Sequence, residues 1–495
     1  MQSHKERWQE DLFVAGPLRN LVPEGHILKR VDAILDLSWL HDEVRGCYCQ
    51  DNGRPSIDPE SALRLMLAGF FQGIVQDRKL MREAQVNLAI RWFAGYRLDE
   101  VLPERSSLTR IRQRWGADLF RRIFERTVTQ CVDAGLVSTD TVHIDATLIR
   151  ADVSWDSLTT RHVQQVVASN DEDTNERDDD DTPASGSGRP GRPRTKKTKP
   201  QKYSPTDPDA TMSTSCKQYH LEPTYKQHTA VEDKSGVIVD VGVTTGQTSE
   251  GKQLLEQVER IETTVGAHVA CVTCDAGYAH SSNYAALEER GTDAVIPPTR
   301  TSQRKQQRIP ARRFKYDPHH DRITCPNGKR LERRGQTTQR NGQYYRASWC
   351  DCKVCPLRER CLSAKAKTRT ILLVDGYTAL LRARRRKEKG WDQQTREKYI
   401  RHRWQVEGVH GRAKIQHGLA RAIGRGMDNV SIQVYLTAAV MNLKKLVRTQ
   451  EMKGGLCEAL KRLTTQLGRA WARWRQKATD RTKRTDYRQP SLVIG

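Results

Sequence analysis

Three carboxylates stand in settings that suit metal-dependent chemistry. The first is Asp145, in the run Thr141-Val-His-Ile-Asp-Ala-Thr-Leu-Ile-Arg150. Val142 and Ile144 alternate with His143 and Asp145, the period of two that marks a half-buried strand. This pattern predicts a strand that closes at the acid, so that rigid backbone holds a carboxylate at a sheet edge. The second is Asp275, which ends the β-rich run Val269-Ala-Cys-Val-Thr-Cys-Asp275 just before Gly277, where a turn is expected. The third is Glu407, on a helix expected from Arg401 to Lys414. On a helix Arg403 lies one turn before the acid and Lys414 two turns after it, so the three share a face. Cation, acid and cation on one face suit a metal-bound phosphate backbone. Two divalent ions roughly 3.5–4 Å apart, held by carboxylates, stabilise both the attacking and the leaving oxygen of a phosphodiester displacement. Each acid alone reads equally as an ordinary solvated carboxylate; it is the set that points to chemistry.

As a set, the acids resemble bacterial insertion-sequence transposases of the DDE superfamily, the branch with a ribonuclease-H-like catalytic domain. The family pattern is Tyr, two residues, Arg, three residues, Glu, six residues, Lys. Arg403, Glu407 and Lys414 keep it, whereas three residues separate Tyr399 from Arg403. Gly53-Arg-Pro-Ser-Ile-Asp-Pro59, Ser106 to Arg112, Thr206-Asp-Pro-Asp-Ala210 and Tyr225 to Glu232 resemble family stretches as well. The resemblance implies Asp145, Asp275 and Glu407 as catalytic ligands of two Mg²⁺ (or Mn²⁺) ions per site, with Asp145 anchoring both. It implies cutting of double-stranded DNA at the element's terminal repeats and transfer of the freed 3′-OH into target DNA, by a homodimer on DNA. Arg403 and Lys414 would grip phosphates and Tyr399 would stack on a displaced base. His143 and His410, beside the acids, read as structural histidines. Two other readings share the site: a nuclease of the same fold that cuts without joining, and a DNA-binding protein that has lost the chemistry.

Composition agrees with a nucleic-acid partner. In 495 residues, 84 Lys and Arg face 60 Asp and Glu, a formal net charge of +24 that calls for an anionic partner. No apolar run approaches the roughly 18–20 residues needed to span a bilayer. The first residues show no signal-peptide core, so the expected compartment is the cytoplasm, on the nucleoid. Twelve cysteines in such a chain argue for reduced thiols or metal ligands before disulfides.

The elements that must position the acids give a mixed α/β expectation. It is a ribonuclease-H-like core interrupted by insertions and preceded by an all-α, helix-turn-helix-like domain. Residues 1–135 read as a helical DNA-binding domain. Ser106 starts a helix carrying Arg110, Arg112 and Arg114, and a second helix follows from Ala117 to Ala134. Residues 136–300 read as the first part of the catalytic domain, in the order β-β-β-α-β-α-β, with Asp145 on the first strand and Asp275 on the fourth. An acidic run and a Gly/Pro/Arg/Lys-rich run interrupt it at about 155–205, where disorder is expected. There Gly188-Arg-Pro-Gly-Arg-Pro-Arg194 is similar to an AT-hook, with Arg192 a minor-groove candidate. Residues 301–365 form a cysteine-rich insertion. Cys325, Cys352, Cys355 and Cys361 can enclose a structural Zn²⁺, with Cys350 as a substitute ligand and free thiols on a small β subdomain as the alternative. Residues 366–450 hold a basic segment, the Glu407 helix and an apolar helix from Val430 to Val447 expected to brace it. A basic tail, 451–495, ends the chain.

Overall fold

The computed structural model describes residues 16–49, 56–154, 159–161, 201–212, 222–299, 309, 311–337, 341–363 and 366–452. The AT-hook-like segment with Arg192, most of the acidic and basic insertion and the C-terminal tail lie outside them.

Six helices come first: α1 (Ile27–Asp32), α2 (Leu40–Val44), α3 (Pro59–Phe71), α4 (Asp77–Val86), α5 (Leu88–Phe93) and α6 (Arg105–Asp133). Helix α3 starts where Asp58 accepts a hydrogen bond from the Ser61 N–H and Pro59 takes the first helical position. Helix α6 is two successive helices kinked at Gly116, whose φ of 72° only glycine adopts without strain. The break falls between the two helices expected from the sequence. The second half buries Leu119, Phe120, Ile123, Phe124 and Val128 and sends Arg121 to Asp240 at 3.3 Å. That half is packing; the first half keeps Arg110 and Arg114 exposed.

The main sheet follows the expected order. Strand β1 (Val142–Arg150) is succeeded by a short β2 (Thr159–Arg161) and β3 (Gln201–Tyr203), which pair with each other at the two ends of the insertion. Next come β4 (Thr211–Met212), β5 (Pro223–Glu232), β6 (Ile238–Thr245), helix α7 (Leu254–Val265), β7 (Cys271–Thr273), helix α8 (Ser281–Glu289) and β8 (Asp293–Val295). β1 pairs antiparallel with β5, and β5 with β6; β7 runs parallel to β1, and β8 to β7. This is the ribonuclease-H-like arrangement, three antiparallel strands followed by two parallel ones reached through helices. One expectation fails in detail: β1 does not close at Asp145 but runs on to Arg150. Strand β5 keeps it hydrogen-bonded along its whole length, while its parallel neighbour β7 stops at Thr273.

A second, five-stranded antiparallel sheet follows: β9 (Lys315–Asp317), β10 (Arg322–Thr324), β11 (Arg330–Thr337), β12 (Gly342–Ala347) and β13 (Thr370–Val374), with α9 (Trp349–Lys353) and α10 (Arg358–Cys361) before its last strand. Its small core, built on Phe314, Ile323, Leu331, Tyr345 and Ile371, is separate from the main one. Helix α11 (Tyr377–Lys389) docks on the main sheet's last βα unit through Arg382 to Glu288 and Arg386 to Asp293, so part of the basic run serves packing. Then come α12 (Gln393–Gln416), which bears Glu407, and a final helix, α13, over residues 427–452.

Helix α13 is a hub. Tyr435 stacks on Phe124 of α6, and Lys444 donates to the Phe71 carbonyl. Asn442, fully buried, accepts from the Ile238 N–H at 2.9 Å and donates to the Ile238 carbonyl at 2.8 Å. Its amide thus acts as one more strand for the outer edge of β6. Replacing it leaves two buried backbone groups unpaired, at about 1–3 kcal/mol each. Asn442→Leu is expected to lower the denaturant midpoint accordingly; an unchanged midpoint would contradict the role.

Candidate active site

Residues 143, 145 and 147 of β1 point to one face of the sheet, because side chains alternate along a strand. Helix α12 lies across that face, burying His402, Val406, Val409, His410 and Ala413 along one stripe. Polar contacts fix its placement. His143, with no exposed surface, has Nδ1 2.6 Å from Thr273 Oγ1 on β7 and Nε2 2.9 Å from Asp233 Oδ1. Thr273 Oγ1 also meets His402 Nδ1 at 3.0 Å, and Arg401 grips both oxygens of Asp233 at 2.6 and 2.9 Å. One turn beyond Glu407, His410 Nε2 lies 3.1 Å from Thr229 Oγ1, the residue paired with Asp145 across β5. Burial pushes the His402 and His410 pKa values down, to about 4 and about 3, so both rings are neutral pins.

This frame gathers the acids. The parallel register that pairs Val142 with Val272 and His143 with Thr273 brings Asp145 level with Asp275, just past the end of β7. Asp275 caps a tight turn, Ala276–Tyr278, and accepts the Gly277 N–H at 2.8 Å. Burial, then the fields of Asp275, Glu250 and Glu407, push the Asp145 pKa up to about 7, although the Ala146 N–H works the other way. Burial also raises Asp275, against the N–H groups of Gly277 and Tyr278 and the charge of Lys226. Glu407 itself is more than half exposed and accepts from Arg403 at 3.1 Å. Lys414 turns inward and donates to Thr147 Oγ1 at 2.6 Å, two residues beyond Asp145. Tyr399 stacks on His402, edge-on to Trp391, and its hydroxyl pKa is raised by burial and then by Asp275, Cys274 and Asp145. Despite its shifted spacing, Tyr399 borders the acids.

Other expected site residues lie apart from this centre. Arg110 and Arg112 line a cleft of about 640 Å³ between the N-terminal helices and the start of α13, with Arg78 and Arg105; none of the acids just described lines it. Arg112 is held by Asp77 in a mostly buried pair, and Arg114 lies over the Tyr48 ring. In the insertion, burial raises the Cys361 thiol, and the neighbouring Cys352, Cys355 and Cys325 raise it further, against Arg369. Cys350 is exposed. Among the described residues, no three His, Cys, Asp or Glu side chains converge tightly enough to grip an ion. Their chemistry nonetheless fits: hard oxygens with excess negative charge in one cluster, soft thiols in the other.

Sequence reasoning did not single out Glu250, Lys226, Asp233, Arg401 or His402. The histidine had a legible signal, lying eight residues before His410 on one helical stripe. The others are united only by the fold, Asp233 and Arg401 being 168 residues apart.

Two family models match the chain, a transposase domain over residues 17–114 and a transposase DDE domain over residues 324–447. No curated protein matches. Among solved structures, the chain is similar to a piggyBac transposase synaptic complex with hairpin DNA, at 10% identity and a TM-score of 0.33, over 87% of this chain and 75% of that one. It is also similar to a Mos1 transposase paired-end complex with left transposon end, at 10% identity and a TM-score of 0.16, over 52% of this chain and 65% of that one. At such scores neither likeness adds weight to the two family models.

The raised Asp145 pKa has a consequence for stability. Unfolded, the group titrates near 3.9. The folded protein therefore keeps a proton that the unfolded chain releases, and this contribution is lost as pH rises through about 7. Asp145→Asn is expected to raise the Tm of the metal-free protein, and by more at about pH 8 than at about pH 5. A Tm at or below wild type at the higher pH would contradict the crowding of negative charge.

Proposed function

This chain belongs to the DDE transposases, and we propose that it cuts DNA at its element's ends and joins the freed 3′-OH to a target at the Asp145, Asp275 and Glu407 cluster. What supports this most directly is the shared field of the acids: the carboxylates of Asp275 on a strand-end turn, Glu250 on the turn before α7 and Glu407 on a distant helix act together on Asp145. Such a concentration of acids around one buried carboxylate suits divalent metal. Two Mg²⁺ or Mn²⁺ ions, when bound, supply the charge that activates the attacking oxygen and steadies the leaving one.

The chain's own residues have separate tasks. Asp145 and Asp275, on rigid backbone, and Glu407 on α12 would hold the ions. Arg403 would take a phosphate beside the scissile bond. Lys414 keeps β1 and α12 in register through Thr147 and offers charge to the same backbone. Tyr399 provides a ring face at the rim of the site on which a displaced base can stack. The net charge of +24, with exposed Arg110 and Arg114, supports binding of duplex DNA by the N-terminal helices. Cutting two ends in concert calls for two copies of the chain on DNA. In the insertion, Cys325, Cys352, Cys355 and Cys361 would hold a structural Zn²⁺ beside the small core.

Purified protein with labelled element ends and Mg²⁺ or Mn²⁺ tests this reading. Wild type is expected to cut and join. Glu407→Gln, which keeps size and removes charge, is expected to bind the ends normally and lose at least about 100-fold in both steps, the upper end for disturbing a metal's outer shell. Cutting by the variant at the wild-type rate would overturn the assignment, and cutting without joining by wild type would mark a nuclease. For the cysteines, metal analysis is expected to find one zinc per chain, lost in Cys355→Ser together with protease resistance of the insertion. A zinc-free wild type would refute that part.

A further inference from the structure

Glu250 opens a single turn, Glu250–Gln253, just before α7, and nothing in its sequence setting marks it as functional. The fold carries it to the acids. A side-chain carbon added at Gly277 would lie 2.9 Å from Glu250 Oε2 and 3.0 Å from Asp275 Oδ1. The two carboxylates therefore lean over the same point of the turn, and the missing side chain leaves the space between them open. Their turns are stitched together: the buried Asn283 amide donates to the Gly251 carbonyl at 2.9 Å and to the Tyr278 carbonyl at 3.1 Å. The other oxygen, Glu250 Oε1, is 3.2 Å from Lys226 Nζ. That buried ammonium also donates to the Thr248 carbonyl at 2.8 Å, so its place is set by backbone. Lys226 thus holds one Glu250 oxygen and leaves the other directed to the Asp275 side. The same carboxylate reaches Asp145 through its field.

We propose that Glu250 is a fourth carboxylate of the metal centre, presenting Oε2 to the ion held by Asp275, with Lys226 as the residue that positions it. This rests on the metal-dependent reading above. A structural ion pair with Lys226 would need only one oxygen and would be indifferent to a glycine opposite the other.

The test is Mn²⁺ binding to full-length protein on an element-end duplex, read from the electron paramagnetic resonance of free Mn²⁺. Cleavage as a function of Mn²⁺ is measured beside it. Wild type, Glu250→Gln, Gly277→Ala and Glu407→Gln are compared, with circular dichroism to confirm folding. Glu250→Gln is expected to weaken Mn²⁺ binding about 10–100-fold and to raise the Mn²⁺ needed for half-maximal cleavage in step, with DNA affinity unchanged. Gly277→Ala keeps every acid and an ordinary backbone, yet its methyl crowds the Glu250 and Asp275 carboxylates, so it shifts both readings the same way. If both variants titrate like wild type while Glu407→Gln is weakened, the fourth-carboxylate role is overturned and the three-acid centre stands. If Glu407→Gln also titrates like wild type, the metal centre itself is misplaced and this inference falls with it.

Discussion

The structure turns on how one long helix is pinned across a sheet. Helix α12 carries an acid that must meet two others, borne on segments that precede it by more than a hundred residues. Apolar packing alone would let such a helix slide by a turn, because Val406, Val409 and Ala413 would fit neighbouring grooves almost as well. The polar contacts remove that freedom. His143, Thr273 and His402 join β1, β7 and α12 in one buried chain, and Arg401 on Asp233 ties the helix to the turn after β5. His410 on Thr229 and Lys414 on Thr147 fix its other end. Buried groups of this kind cost heavily if left unpaired, so a shifted helix leaves several unsatisfied at once. Register, and with it the reach of Glu407, follows from that penalty.

The same frame keeps the acids in a setting they would not choose. Asp145 is buried beside like charges and titrates near neutrality, so without cations part of the fold's stability is given up at the site. A main core shared by the N-terminal helices, the sheet and α13 supports this arrangement, with Asn442 sealing the edge of β6. The cysteine-rich insertion keeps its own small core and sheet, so it can be carried between β8 and α11 without disturbing the catalytic strands.

Much of this was legible in the sequence, and the reasons are physical. β1 is half-buried, so its alternation shows. The pair of helices around Gly116 reads correctly because a glycine there breaks the pattern as it breaks the helix. α12 shows its chemistry through one-turn and two-turn spacings. β5 is different: all ten of its residues are buried, Lys226, Gln227, His228 and Thr229 among them, and it lacks the alternation of a surface strand. Its polar residues are paired only through tertiary contacts, which local pattern cannot encode. The end of β1 is hidden because the acid resembles a strand terminus, while pairing with β5 carries the strand on to Arg150. Glu250 was invisible for a similar reason: its partners Lys226 and Gly277 lie on separate elements.

The central claim is that Asp145, Asp275 and Glu407 form one metal centre. The most direct measurement is a crystal structure of the protein on an element-end duplex with Mn²⁺, recorded at a wavelength where manganese scatters anomalously. The account predicts anomalous peaks between Asp145 and Asp275, with Glu407 turned from Arg403 to meet them. Peaks elsewhere, or a Glu407 still paired with Arg403 while manganese sits on other residues, would contradict it.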